Sequence, residues 1–175
     1  MRCYMSTASL RSQYGRRTTN AYSSSVIVID IDAYKANMFK GLSKPEIEEK
    51  LLTWDAPTPT YLYYTGNGYN AVYKLDKPMN LSQQDVIERR KTLIKALIGA
   101  WKDAESDSRC TDATRLTRMQ SSVNPRTGNA ADKISFEEEG KIYKIEELEK
   151  ATEKYAGQDT TQVVTESTKK VKREK

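Results

Sequence analysis

The stretch Val26-Ile27-Val28-Ile29-Asp30-Ile31-Asp32 constrains this chain more than any other. Four consecutive β-branched apolar residues read as a fully buried strand. Two carboxylates follow at its C-terminal end, one residue apart. Side chains alternate across a strand, so Asp30 and Asp32 share a face while Ile31 turns back into the core. Like charges held side by side repel each other. A hard divalent cation, Mg²⁺ or Mn²⁺, relieves that conflict through oxygen ligands. Taken alone, the stretch also reads as a strand running into an acidic turn.

The 175 residues hold one domain with a single core, and no apolar run approaches a membrane span of ~20 residues. No apolar leader opens the sequence, so a cytoplasmic protein is expected, in host cytoplasm if a phage or plasmid encodes it. Cys3 and Cys110 are the only cysteines, which suggests free thiols in a reducing compartment. There is no histidine, which excludes His-containing zinc sites and Ser-His or Cys-His catalysis. The net charge of +5 is concentrated at the ends. Residues 1–20 carry four arginines and no acid, and residues 165–175 carry five bases and two acids. Basic ends around a near-neutral body suit a polyanion such as nucleic acid, and equally a merely soluble tail.

Residues 1–25 read as a basic arm or weak edge strand, 26–156 as the folded domain, and 157–175 as a polar basic linker or disordered tail. Ser43-Lys44-Pro45-Glu46 starts a helix with a capping box, which Ile47, Leu51 and Trp54 continue. Tyr61–Tyr64 and Tyr69–Leu75 read as a hairpin about an Asn-Gly turn, the second strand stopped by Pro78. Ser82-Gln83-Gln84-Asp85 reads as another capping box. Ile87, Ile94, Leu97, Ile98 and Trp101 trace one face of the helix after it, with Glu88, Arg89, Arg90, Lys91 and Lys95 facing solvent. A short strand is expected over 113–119, a loop over 121–132, a strand pair over 134–145 about a turn at Glu137–Gly140, and a closing helix over 146–155. The order β–α–β–β–α–β with a central hairpin predicts an α+β fold, a mixed or antiparallel sheet packed on helices in the ferredoxin-like or RNA-recognition-motif manner.

Three pieces stand in order: Asp30-Ile31-Asp32; the hairpin from Tyr64 to Tyr73 with Thr65-Gly66-Asn67-Gly68-Tyr69-Asn70; and the run from Asp112 to Gly128 with Arg115, Arg118, Asn124 and Arg126. In that order and spacing they resemble the archaeo-eukaryotic primase superfamily, nearest to replication primases of plasmids, phages and mobile elements. The likeness spans roughly residues 15 to 130, including Gly15-Arg16-Arg17-Thr18. It implies that Asp30, Asp32 and Asp112 bind catalytic Mg²⁺ or Mn²⁺. It implies that Thr65, Gly66, Gly68, Asn70, Arg115, Arg118, Asn124 and Arg126 surround the incoming nucleotide. Asn70 stands where the family usually has His, Gln120-Ser121 replace Pro-Gly, and Arg126 stands where Lys is usual.

The residue types suit that chemistry in their own right. Displacement at an α-phosphate uses carboxylates to hold metal ions and arginine forks to hold the triphosphate. Glycines let backbone approach phosphate closely. The resemblance thus implies a DNA primase or primase–polymerase acting on a single-stranded DNA template with nucleoside triphosphates, beside a replicative helicase domain or protein and no membrane. The alternative is a primase-like domain that binds nucleotide or nucleic acid without catalysis. A phosphatase of the Asp-x-Asp type fits poorly, because Ala33-Tyr34 follow where Gly or Thr is usual.

Overall fold

In the computed structural model, residues 4–11, 20–112, 114, 116–134 and 140–157 are described. The Gly15–Thr18 segment, Arg115, the Glu137–Glu139 part of the expected turn and the C-terminal tail lie outside them. The strands are β1 (Tyr4–Ser6), β2 (Ser9–Leu10), β3 (Ala21–Ile31), β4 (Tyr61–Tyr64), β5 (Tyr69–Asn80), β6 (Leu116–Arg118), β7 (Asp132–Ile134) and β8 (Ile142–Tyr143). The helices are α1 (Lys44–Leu52), α2 (Gln84–Ala100) and α3 (Ile145–Thr152).

The main sheet runs β2-β3-β5-β4-β7, with β8 added parallel to β5, and β1 and β6 form a separate two-stranded ribbon. The long pairing is antiparallel, Val26–Ile31 against Lys74–Tyr69. Ile27, Ile29, Ile31, Ala71 and Tyr73, fully buried, face the helices with Leu97, Ile98 and Trp101. Polar tips in this core have partners: Trp101 Nε1 donates to Tyr73 Oη (2.9 Å), which donates to the Pro57 carbonyl (2.8 Å). Burial pushes the Tyr73 phenol up. The Glu46 carboxylate accepts from Ser43 N (2.7 Å) and Oγ (2.6 Å), so the expected capping box of α1 forms. Arg89 clips α3 to α2 through a two-pronged contact with Glu149 (2.6 and 2.7 Å).

The α+β expectation holds, and several local readings are corrected. The central strand starts at Ala21, five residues early, and β5 runs through Pro78 to Asn80. Ser24 pairs with Met79 and Val26 with Lys74, so Leu75–Pro78 face only Ser25 of β3; Leu75 stays paired with Tyr143 of β8, and proline's missing N–H costs no bond to β3. The second capping box does not form: α2 starts at Gln84, and the Ser82 hydroxyl accepts from Arg11 instead. The hairpin keeps its expected loop, Thr65–Gly68, within which Gly66 takes the positive φ (+88°) and Asn67 does not. Of the expected 134–145 strand pair, residues 135–139 lie outside the described residues; among those described, β7 pairs with β4 and β8 with β5.

Arg90 is the largest surprise. Placed by pattern on the solvent face, it is 3 % exposed. Its Nη2 lies 3.5 Å from the Val26 carbonyl, and its Nε has no partner among the described residues. Desolvation drives its pKa down to about 10, opposed by the nearby Asp112 carboxylate. A buried, incompletely bonded cation is costly to hold, whereas its methylene stem fills space. Arg90→Met should therefore change folding stability by less than about 1 kcal/mol or raise it. Arg90→Ala should lower it by roughly 2–4 kcal/mol through lost packing. Urea denaturation of both variants checks the contrast.

Candidate metal and nucleotide site

The site grows from the end of β3. Val26, Val28 and Asp30 point away from the helices, onto the face where β5 sets Lys74, Val72 and Asn70 directly opposite. Asp30 thus faces Asn70 across the ladder. Asn70 is 5 % exposed and lies between Asp30, the Tyr69 carbonyl and Thr117 of β6. Its amide oxygen cannot face a carboxylate and a carbonyl, so its nitrogen is assigned to donate to Asp30 Oδ1 (3.1 Å) and Tyr69 O (3.0 Å). Its oxygen accepts from Thr117 Oγ1 (2.8 Å). One side chain therefore ties the acidic strand end to the β1–β6 ribbon.

A second carboxylate arrives from the segment after α2. Asp32 N donates to Glu105 O (2.9 Å) and Asp107 N to Asp30 O (2.9 Å), zipping residues 105–107 onto the free edge of β3. Glu105 takes a left-handed conformation (φ 62°) to make that turn. Donor atoms of Asp30, Asp107 and Cys110 all lie within 4.8 Å of one another. Burial alone would raise the Asp107 carboxyl. Hydrogen bonds from Arg109 N, the Cys110 thiol and the Arg109 guanidinium outweigh it and hold the group below the usual carboxylate range. Two carboxylates with hydrogen-bonded second partners fit a hard divalent cation.

The other two expected acids, Asp32 and Asp112, do not join this group, and the expected shared face of Asp30 and Asp32 is not formed. The strand ends at Ile31, and Asp32 (φ −83°, ψ 50°) opens a helical turn in which its carboxylate meets Lys35 Nζ. Asp112 is exposed and interacts with Arg90. Asp107 was not singled out in the sequence. Its place depends on the backbone bonds to β3, and its one cue is that it precedes Asp112 in a polar run.

The glycine hairpin and the arginine segment also meet. Thr65 N donates to Gly68 O (2.9 Å), closing the loop. Thr127 Oγ1 donates to Gly66 O (2.5 Å), and Asn129 Nδ2 donates to Tyr64 Oη (3.1 Å). A Cβ on Gly66 would lie 2.7 Å from Asn129 O, and one on Gly68 2.7 Å from Ile31 O. Both glycines are thus required by close packing against protein backbone. Asn124, 7 % exposed, shapes the facing loop by accepting from Arg126 N (3.0 Å) on its side-chain oxygen. Arg118 Nη1 donates to Val123 O (3.3 Å), and Arg126 is exposed. Between the sheet face and the ribbon lies a mostly apolar cavity of about 330 Å³, walled by Val28, Val72, Tyr61, Tyr63, Thr117 and Arg118.

The chain has the fold of a primase–polymerase domain. It superposes on the AEP domain of the cyanophage S-2L primase-polymerase with a TM-score of 0.60, over 86% of this chain and 70% of that one, at 15% identity. No protein-family model and no curated protein matches it.

Gly66→Ala and Gly68→Ala should each destabilise the fold by about 1–3 kcal/mol, the first through positive φ and both through backbone overlap. Asn67→Ala, at the exposed tip between them, should stay within about 0.5 kcal/mol. Thermal melts of the three variants test this.

Proposed function

We propose that this chain is a member of the archaeo-eukaryotic primase superfamily, a nucleotidyltransferase that builds primers on single-stranded DNA from nucleoside triphosphates. One observation carries the reading: carboxylates from two separate segments, Asp30 and Asp107, converge at the end of the central strand of a primase–polymerase fold. Mg²⁺ or Mn²⁺ suits that pair. When bound, such ions stabilise the charge on the attacking and leaving oxygens of a displacement at an α-phosphate.

The chain's own residues do the positioning. Asp30 is oriented by Asn70, and Asp107 by Arg109 and Cys110. Asp32 would be available to such an ion, since its partly exposed pair with Lys35 contributes only about 0–1 kcal/mol. Asp112, the third acid of the resemblance, offsets the buried charge of Arg90. Arg115, Arg118 and Arg126 supply forks for the triphosphate. Thr65, Gly66 and Gly68, with Asn124, hold the hairpin and its facing loop in shape under that triphosphate. The apolar cavity alongside receives the base and sugar.

A second reading, nucleotide or nucleic-acid binding without catalysis, is favoured by the inward use of Asn70. Its donors are engaged by Asp30 and Tyr69, which leaves no charged donor at the position where the family usually has His. Template-dependent incorporation of labelled nucleotides, with and without Mn²⁺, separates the two. Activity should require the metal and fall to background in Asp30→Asn and in Asp107→Asn. It should persist in Asp103→Asn, an exposed position in the helical turn Lys102–Ala104. Nucleotide binding with no incorporation by the unaltered chain would leave only the binding reading.

A further inference from the structure

Cys110 is 2 % exposed, yet its sulfur is not simply core. It lies within 4.8 Å of carboxylate oxygens of both Asp30 and Asp107, and its thiol donates a hydrogen bond to Asp107. All three side chains hang from fixed backbone. Asp30 lies one residue before the end of a paired strand, Asp107 N is bonded to Asp30 O (2.9 Å), and Cys110 N is bonded to Asp107 O (3.1 Å). Three preset protein ligands with an open remainder are how sites that accept an exchangeable fourth ligand are built.

We infer that Cys110 makes this a mixed carboxylate–thiolate centre, which takes thiophilic divalent ions of the Zn²⁺, Co²⁺ and Cd²⁺ kind more tightly than Mg²⁺. The inference rests on the metal-site reading of Asp30 and Asp107 given above. A hard ion uses the two carboxylates and leaves the thiol protonated on Asp107. A thiophilic ion gains a sulfur bond, and the thiol proton passes to solvent. The extra negative charge is offset in part by Arg109, whose Nε lies 3.2 Å from Asp107 Oδ1. Ion selection in this chain then falls to a residue outside the Asp-x-Asp pair.

The test is titration of the full chain with Co²⁺, following thiolate-to-cobalt charge-transfer absorption in the near ultraviolet. Cd²⁺ affinity is measured by calorimetry, and Mn²⁺ affinity by loss of the free-ion paramagnetic resonance signal. The charge-transfer band should appear in the unaltered chain and in Cys3→Ser, and vanish in Cys110→Ser and Cys110→Ala. Cd²⁺ affinity should fall about tenfold or more in both Cys110 variants, whereas Mn²⁺ affinity should move less than about threefold, which also reports that the carboxylates remain in place. A Co²⁺ complex with no thiolate band, alongside intact Mn²⁺ binding, overturns the selectivity inference and leaves the metal-site reading standing. Mn²⁺ binding that is absent, or that survives Asp30→Asn and Asp107→Asn, overturns both.

Discussion

The antiparallel pairing of β3 with β5 is the constraint on which the rest of the molecule depends. It runs without interruption from Val26–Lys74 to Ile31–Tyr69. Its period of two sends Ile27, Ile29 and Ile31 under the helices and Asp30 to the opposite face. A slip of one residue would reverse every side chain, putting Asp30 in the core and three isoleucines on the open face. Burying each such aliphatic side chain contributes roughly 1.5–3 kcal/mol, so the apolar face alone fixes the register that the acidic face needs. Asn70 is aligned with Asp30 by the same arithmetic. The core therefore sets the geometry of the polar site, although the two share no side chain.

The edge of β3 supplies the other half. β2 covers its beginning and residues 105–107 cover its end, so the strand carrying Asp30 is flanked on both sides. Pairing at the end places Asp107 beside Asp30. Between these covers, Val26 O is met by Ser24 Oγ (2.9 Å) and approached by Arg90 Nη2. The guanidinium thus sits behind the sheet, while the carboxylates gather at its tip. Its charge is expensive where it lies, and Asp112 is the neighbour that offsets part of that cost.

How much of this could be read from the sequence depends on whether a feature is local. The buried strand, the hairpin, the apolar stripe of α2 and the capping box of α1 all follow from period and turn chemistry within a few residues. So does the α+β order. Asp107 was invisible because no spacing marks it; a backbone bond to a strand far away in sequence puts it at the site. Arg90 was misread because a charged residue next to other charged residues on a helix normally faces water, and its burial is decided by the gap in the edge of β3. Pro78 was read as a stop because sequence does not show that a bulge awaits it. The Asn-Gly pair marked the hairpin, but the left-handed residue is Gly66, which packs against the Asn124–Asn129 loop, a contact no local pattern shows.

The bulge at Leu75–Pro78 has a consequence for how such a chain can vary. It divides the β3–β5 ladder into two stretches whose registers are independent, Ser23–Ser24 with Met79–Asn80 and Val26–Ile31 with Tyr69–Lys74. Proline cannot donate to a ladder, so neither stretch can invade the other by sliding. The bulge acts as an expansion joint. Residues gained or lost there lengthen or shorten the remote end of the sheet, and the strain stops before it reaches Lys74. A change of length at this point would leave the offset between Asp30 and Asn70 unchanged.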